Sequence, residues 1–224
     1  MKLTSISSAA IAAMLLGAVS VAHAIPTLSI SIDGGAAVVI TDNGVGDIDA
    51  TIGAITASYG GVSSPYSVAV TVGATKPAVS FPTVMDLNSI NVVASSGGTH
   101  DLVLMFSETG FSGPGPVSGA FGGTLSGPTG FSTVSAQSYY GAGLFDLSNA
   151  LGVIGTFNSG GAFSGHSYDG VALSTYSLTQ VIKLHTVGTG NFSGDYELTV
   201  PEPGSLALAG LALVGLGFLR RRAK

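Results

Sequence analysis

The sequence contains no cysteine and no tryptophan, and only 8% of its residues are charged. Without cysteine there are no disulfides, no thiol nucleophile, and no cysteine-based zinc or iron–sulfur site. A chain of 224 residues is long enough to build a core without such staples. The lack of tryptophan removes the ring best suited to stack on a sugar. Bases are scarce as well. Between Ile25 and Val200 only Lys76 and Lys183 face eleven carboxylates: Asp33, Asp42, Asp47, Asp49, Asp86, Asp101, Glu108, Asp146, Asp169, Asp195 and Glu197. An acidic body with no basic face excludes a nucleic-acid partner. No fixed-period repeat calls for a β-solenoid.

Glycine is abundant: 34 residues, against an average usage of about 7%. With 46% hydrophobic residues the chain has enough apolar surface to fold, which argues against disorder. Apolar and polar residues alternate with period two, the mark of half-buried strands. Leu28, Ile30 and Ile32 share one face. So do Val68, Val70 and Val72; Leu102, Leu104 and Phe106; and Tyr196, Leu198 and Val200. Tyr176, Leu178, Ile182 and Leu184 share a parity, with Thr179, Lys183 and His185 on the other. Gly34-Gly35, Asn43-Gly44, Gly60-Gly61, Gly97-Gly98 and Gly160-Gly161 punctuate these runs as turns. Gly44 is expected to supply the positive φ of a tight hairpin. Gly110 to Gly130 reads either as a long loop or as two short glycine-containing strands such as Val117 to Leu125. The expected fold is all-β: an antiparallel sandwich, jelly-roll-like or immunoglobulin-like, flanked by an N-terminal signal helix and a C-terminal transmembrane helix.

Residues 1–24 read as a signal peptide. Lys2 supplies the positive start, Ile11 to Val19 an apolar core, and Ala22-His23-Ala24 the small-x-small site that signal peptidase accepts. Residues 25–199 form the body. In residues 200–224, Pro201-Glu202-Pro203 interrupts any strand or helix. Ser205 to Leu219 follows as an uncharged apolar run, and Arg220, Arg221, Arg222 and Lys224 close the chain. The run spans about 22 Å as a helix against a hydrocarbon core of about 30 Å, a thin span. The basic cluster sets the C-terminus on the cytoplasmic side of an inner membrane and the body outside.

This order of motif, span and charge resembles the PEP-CTERM sorting signal of Gram-negative bacteria. The resemblance implies recognition and cleavage of the tail by an exosortase, a membrane transpeptidase, in hosts that commonly make exopolysaccharide and biofilm. The same tail is known on some ice-binding proteins, but the regular Thr-x-Thr array that would favour ice binding is absent here. The body is also similar to the cargo of small PEP-CTERM proteins in two segments, Asp86-Leu-Asn-Ser89 and Tyr176-Ser-Leu-Thr-Gln180, to which no activity attaches.

Few constellations in the body suggest chemistry. Gly165-His166-Ser167-Tyr168-Asp169 approaches a nucleophile elbow, but Asp169 stands where the elbow needs glycine and no helix pattern follows. Asp42, Asp47 and Asp49 form the densest acidic stretch and are candidate calcium ligands, with Asp33 or another loop completing the set. An EF-hand fails there, because Gly44 and Gly46 occupy ligand positions. His100, His166 and His185 show no zinc-ligand spacing. Tyr139 and Tyr140 are candidate sugar-stacking residues, but neighbours in a strand face opposite ways. The expectation is a non-enzymatic envelope or extracellular matrix protein with no catalytic residues and no obligatory cofactor. It is exported, transiently anchored in the inner membrane, handled by signal peptidase and exosortase, and associated with exopolysaccharide. The alternatives are a calcium- or glycan-binding β-sandwich module and, behind it, a secreted hydrolase.

Overall fold

The computed structural model describes residues 25–200, apart from 62–63, 76–77, 79–82, 96, 127–130 and 159. The leader with Ala22 and Ala24, the Pro201-Glu202-Pro203 motif, the apolar run and Arg220 to Arg222 lie outside the described residues.

Among the described residues every regular element is a strand: β1 (Thr27–Ile32), β2 (Val38–Thr41), β3 (Ala54–Tyr59), β4 (Tyr66–Ala74), β5 (Thr83–Ala94), β6 (His100–Ser112), β7 (Gly115–Ser126), β8 (Phe131–Gly141), β9 (Asn149–Phe157), β10 (Gly161–Val171), β11 (Thr175–Thr186) and β12 (Gly190–Val200). They form two six-stranded sheets, ordered β2-β1-β6-β11-β8-β9 and β10-β7-β12-β5-β4-β3. Every pairing is antiparallel. β5, β6, β7 and β8 alternate between the two sheets, and so do β9, β10, β11 and β12. The chain is therefore an antiparallel β-sandwich. Residues 110–126 are not a long loop: β6 runs on to Ser112, Gly113 turns at φ 85°, and β7 follows as one continuous strand to Ser126.

The period-two pattern decides which side chains meet between the sheets. Leu28, Ile30, Val68, Val70, Leu102, Leu104, Phe106, Leu178, Ile182, Leu184, Tyr196 and Leu198 are all buried in one continuous core. In the second sheet Phe121 sits in an aromatic group, its ring centroid 5.3 Å from Phe163, 5.6 Å from Tyr196 and 6.1 Å from both Phe157 and Phe192. Polar groups also cross the core. The Gln180 side-chain amide on β11 donates to the carbonyls of Met85 (3.1 Å) and Tyr196 (2.7 Å) in the opposite sheet. Thr75 Oγ1 donates to the buried Glu108 carboxylate. Tyr66 O–H donates to the His100 carbonyl at 2.7 Å and lies 2.7 Å from Thr186 Oγ1. Burial pushes its phenol up to about 12.

Alternation fails on the outer face of the first sheet. Thr179, expected on a solvent face, is fully buried, as are Ser107 and Ser177. The β8–β9 connection, residues 142–148, folds against them: Phe145 N–H donates to Ser107 Oγ at 3.0 Å, and Ser177 Oγ donates to the Gly143 carbonyl at 2.6 Å. Gly141 permits this fold-back, because a Cβ there would stand 2.2 Å from the Asp146 carboxyl carbon. The expected role of Gly44 is corrected. Asn43 holds the positive φ, 55°, while Gly44 is needed for room, since its Cβ would fall 2.3 Å from Thr41 Oγ1. Nor is this a hairpin; β2 and β3 belong to different sheets.

The registers place the connections at two ends. Val200 lies opposite Thr83, Thr27 opposite Thr41, and Ser112 opposite Thr175. The end that carries Val200 also carries the β2–β3, β4–β5, β6–β7, β8–β9 and β10–β11 connections. It is called the tail end below, and the other the far end.

Candidate functional site

On the outer face of the second sheet, β10, β7, β12 and β5 lie side by side. The registers align outward-facing residues into rows. His166 lies opposite Ala120, Ala120 opposite Glu197, and Glu197 opposite Asp86. Ser164, Gly122 and Asp195 form the next row, and Tyr168, Ser118 and Thr199 the row on the other side. Small residues on β7 leave a depression between taller neighbours. The result is an open groove of about 390 Å³ lined by Asp86, Asn88, Ala120, Gly122, Ser164, His166, Asp195 and Glu197. Tyr168 flanks it, 76% exposed.

The wall on β5 is set by a bulge. Ser89 takes φ 53°, and its N–H donates to Asp195 Oδ1 at 2.6 Å. Glu197 Oε1 accepts from Thr199 Oγ1 at 3.0 Å. Three carboxylates thus share one face, which has no lysine or arginine among its lining residues. Burial pushes the Asp86 carboxyl up from its ordinary value, and the charges of Glu197 and then Asp195 add to the shift. A raised folded pKa means that the neutral form suits the fold better. Asp86 contributes stability below its ordinary pKa and loses it as pH rises through the folded value. Asp86→Asn is therefore expected to raise the melting temperature at pH 7 by about 2 °C, solvent screening keeping the gain small. The gain should vanish near pH 3, as thermal denaturation across that range will show.

The other sequence candidates fall elsewhere. Asp42, Asp47 and Asp49 all lie in the β2–β3 connection, where their carboxylates serve its backbone. Asp47 accepts from the N–H groups of Asn43, Asp49 and Thr56, Asp42 from Gly53, and Asp49 from Thr51. The Thr51 N–H and then the Thr51 side chain hold the Asp49 carboxyl below its usual range. Asp33 lies at the far end, and so does not join them. Among the described residues no group of three or more His, Cys, Asp or Glu is arranged to hold a metal. His166 and Ser167 are successive residues of β10 and face opposite ways, with no helix following. Tyr139 and Tyr140 also diverge: Tyr139 O–H donates to Gln137, while Tyr140 packs edge-on to buried Tyr176.

Two pairings escaped the sequence. His100 Nδ1 lies 2.8 Å from Asp33, and His185 Nδ1 lies 2.7 Å from Asp101. Each pair is brought together by adjacent strands at the far end, β1 with β6 and β6 with β11. The Asp101 N–H and then His100 hold the Asp33 carboxyl below its usual range.

Against known proteins, the PEP-CTERM protein-sorting motif matches residues 199–222. The chain carries this sorting signal, which implies an exported protein transiently anchored at its C-terminus. No curated protein matches the sequence. Among solved structures, TmCBM61 in complex with β-1,4-galactotriose is 12% identical with a TM-score of 0.34, over 62% of this chain and 90% of that one. A structure of carbohydrate-binding modules from the β-sandwich superfamily is 11% identical with a TM-score of 0.31, over 80% of this chain and 72% of that one. The carbohydrate-binding module of Cellvibrio mixtus lichenase 5A with cellotriose is 9% identical with a TM-score of 0.24, over 67% of this chain and 88% of that one. At these scores the likenesses carry no argument about a ligand.

Proposed function

We propose that this chain is a non-enzymatic protein of the cell envelope or extracellular matrix, sorted by an exosortase, which holds a polysaccharide in the groove of its second sheet. The observation that carries the reading is the groove itself. It is open at the surface, as a polymer requires, and its floor of Ala120 and Gly122 gives a flat strip at backbone level. Asp86, Asp195 and Glu197 offer acceptors to sugar hydroxyls, and Asn88, Ser164 and His166 offer donors as well. The exposed ring of Tyr168 presents an apolar face of the kind on which a pyranose can stack. Three carboxylates with no lysine or arginine among them favour a neutral polysaccharide and repel a polyanionic one. The leader and the tail supply the route outward, with the C-terminus cytoplasmic until the tail is cut.

Affinity electrophoresis through gels containing neutral polysaccharides, a glucan, a mannan and a galactan in turn, tests the binding claim. The full chain should be retarded, and Tyr168→Ala should weaken retardation about tenfold, or about 1.4 kcal/mol. Glu197→Gln should weaken it less, since an amide still accepts hydrogen bonds. Migration unaffected by any of these polysaccharides, or retarded equally in both variants, would count against the groove.

A further inference from the structure

The two ends of the sandwich differ in chemistry, and the difference follows where the tail leaves. At the tail end the connections are turned inside out. In residues 42–49 the Asp42, Asp47 and Asp49 carboxylates turn inward to backbone N–H groups, while Val45 is 97% and Ile48 78% exposed. The β8–β9 connection repeats the arrangement. Asp146 accepts from the N–H groups of Ala142 and Ser148, and Leu144 and Leu147 face outward. Ile52 and Leu173, in connections at the same end, are also exposed, as is Ile25 just before β1. At the far end, among the described residues, only Val187 is a large exposed apolar side chain within a connection. The groups there are the His100–Asp33 and His185–Asp101 pairs and connections rich in glycine and serine.

β12 ends at Val200 on the apolar end. Only residues 201–204 separate it from the apolar run that begins at Ser205. Four residues reach at most about 14 Å when fully extended. A chain held by that run keeps its tail end within this distance of the bilayer. We propose that the tail end seats on the lipid surface of the membrane, with Val45, Ile48, Leu144, Leu147 and Leu173 entering the headgroup boundary. This rests on the reading of residues 205–219 as the span. Loop tips that expose single aliphatic side chains bury too little area to hold a free protein on a bilayer. A tether of four residues makes the contact intramolecular, so that weak insertion suffices. Severing the tail removes that advantage, and the body leaves the surface without unfolding. The contact is thus tied to the unprocessed state. The carboxylates behind the apolar tips favour a zwitterionic surface over an anionic one.

The absence of cysteine from the chain makes the test clean. Single variants Val45→Cys, Ile48→Cys, Val187→Cys and Leu213→Cys of the full chain, spin-labelled and reconstituted in phosphatidylcholine vesicles, report depth through oxygen and aqueous nickel accessibility. Labels at 45 and 48 should lose nickel accessibility several-fold relative to 187 and gain oxygen accessibility, while 213 lies deep in the bilayer. A deep label at 213 with 45 and 48 as water-exposed as 187 overturns the docking and leaves the span intact. A label at 213 that stays in water overturns both. Shielding at 45 with spin–spin broadening and no gain of oxygen accessibility identifies a second copy as the occupant and overturns the lipid contact.

Discussion

Phe121→Ala is expected to lower the melting temperature by about 10 °C. The ring is fully buried and touches Phe157, Phe163, Phe192 and Tyr196. Truncating a buried phenylalanine costs about 3–5 kcal/mol, part lost transfer energy and part residual cavity. In a domain of this size each kcal/mol moves the midpoint by about 2–4 °C. The four aromatic partners come from β9, β10 and β12, so no single side chain can swing in to fill the space. The same residue links stability to function, because β7 sets Ala120 and Gly122 on either side of Phe121 as the floor of the groove. The variant should therefore lose polysaccharide retardation at temperatures where it is still folded by far-ultraviolet circular dichroism. A loss below about 1 kcal/mol would mean that the aromatic group is less tightly packed than its geometry indicates.

Gln180→Ala is the second large effect, expected to cost about 3 kcal/mol and about 8 °C. The side chain is wholly buried, and its amide donates to two carbonyls of the facing sheet. Alanine removes both bonds and leaves a void between the sheets. Gln180→Leu fills the void without the bonds and should cost less than half as much. The order of the two variants, read by urea denaturation, separates volume from hydrogen bonding. Equal losses would place the stabilisation in the bonds alone.

Gln180 also shows how far the sequence could be read. Tyr176, Leu178, Ile182 and Leu184 declared the inward parity of β11, and the structure buries all four. Gln180 stands at the same parity, and its partners are main-chain carbonyls of the facing sheet, which no pattern of side chains reveals. The sandwich class was legible because alternation and glycine turns are local properties. The strand order was not, since it depends on pairings such as Ile32 with Leu102 and Glu197 with Asp86 that are remote in sequence. For the same reason the groove went unread: Asp86, His166 and Glu197 meet only after β10, β7, β12 and β5 are laid side by side. Tyr168 was noticed within the Gly165-to-Asp169 segment, but its exposure depends on which face of β10 turns outward. Thr179 misled because a connection, not a strand, covers its face. The Asp42-to-Asp49 segment was legible as a turn, whereas the inward direction of its carboxylates was not.

We propose that the β-sandwich is delivered across the membrane and then sorted by the segment that begins where β12 ends. Fractionation of cells carrying the full chain, compared with cells carrying a chain that stops at Val200, tests it most directly. The full chain should pass through a membrane-bound precursor to the envelope or medium, and the truncated chain should be exported but neither membrane-held nor sorted. The same distribution for both chains, or a body found only in the cytoplasm, would contradict it.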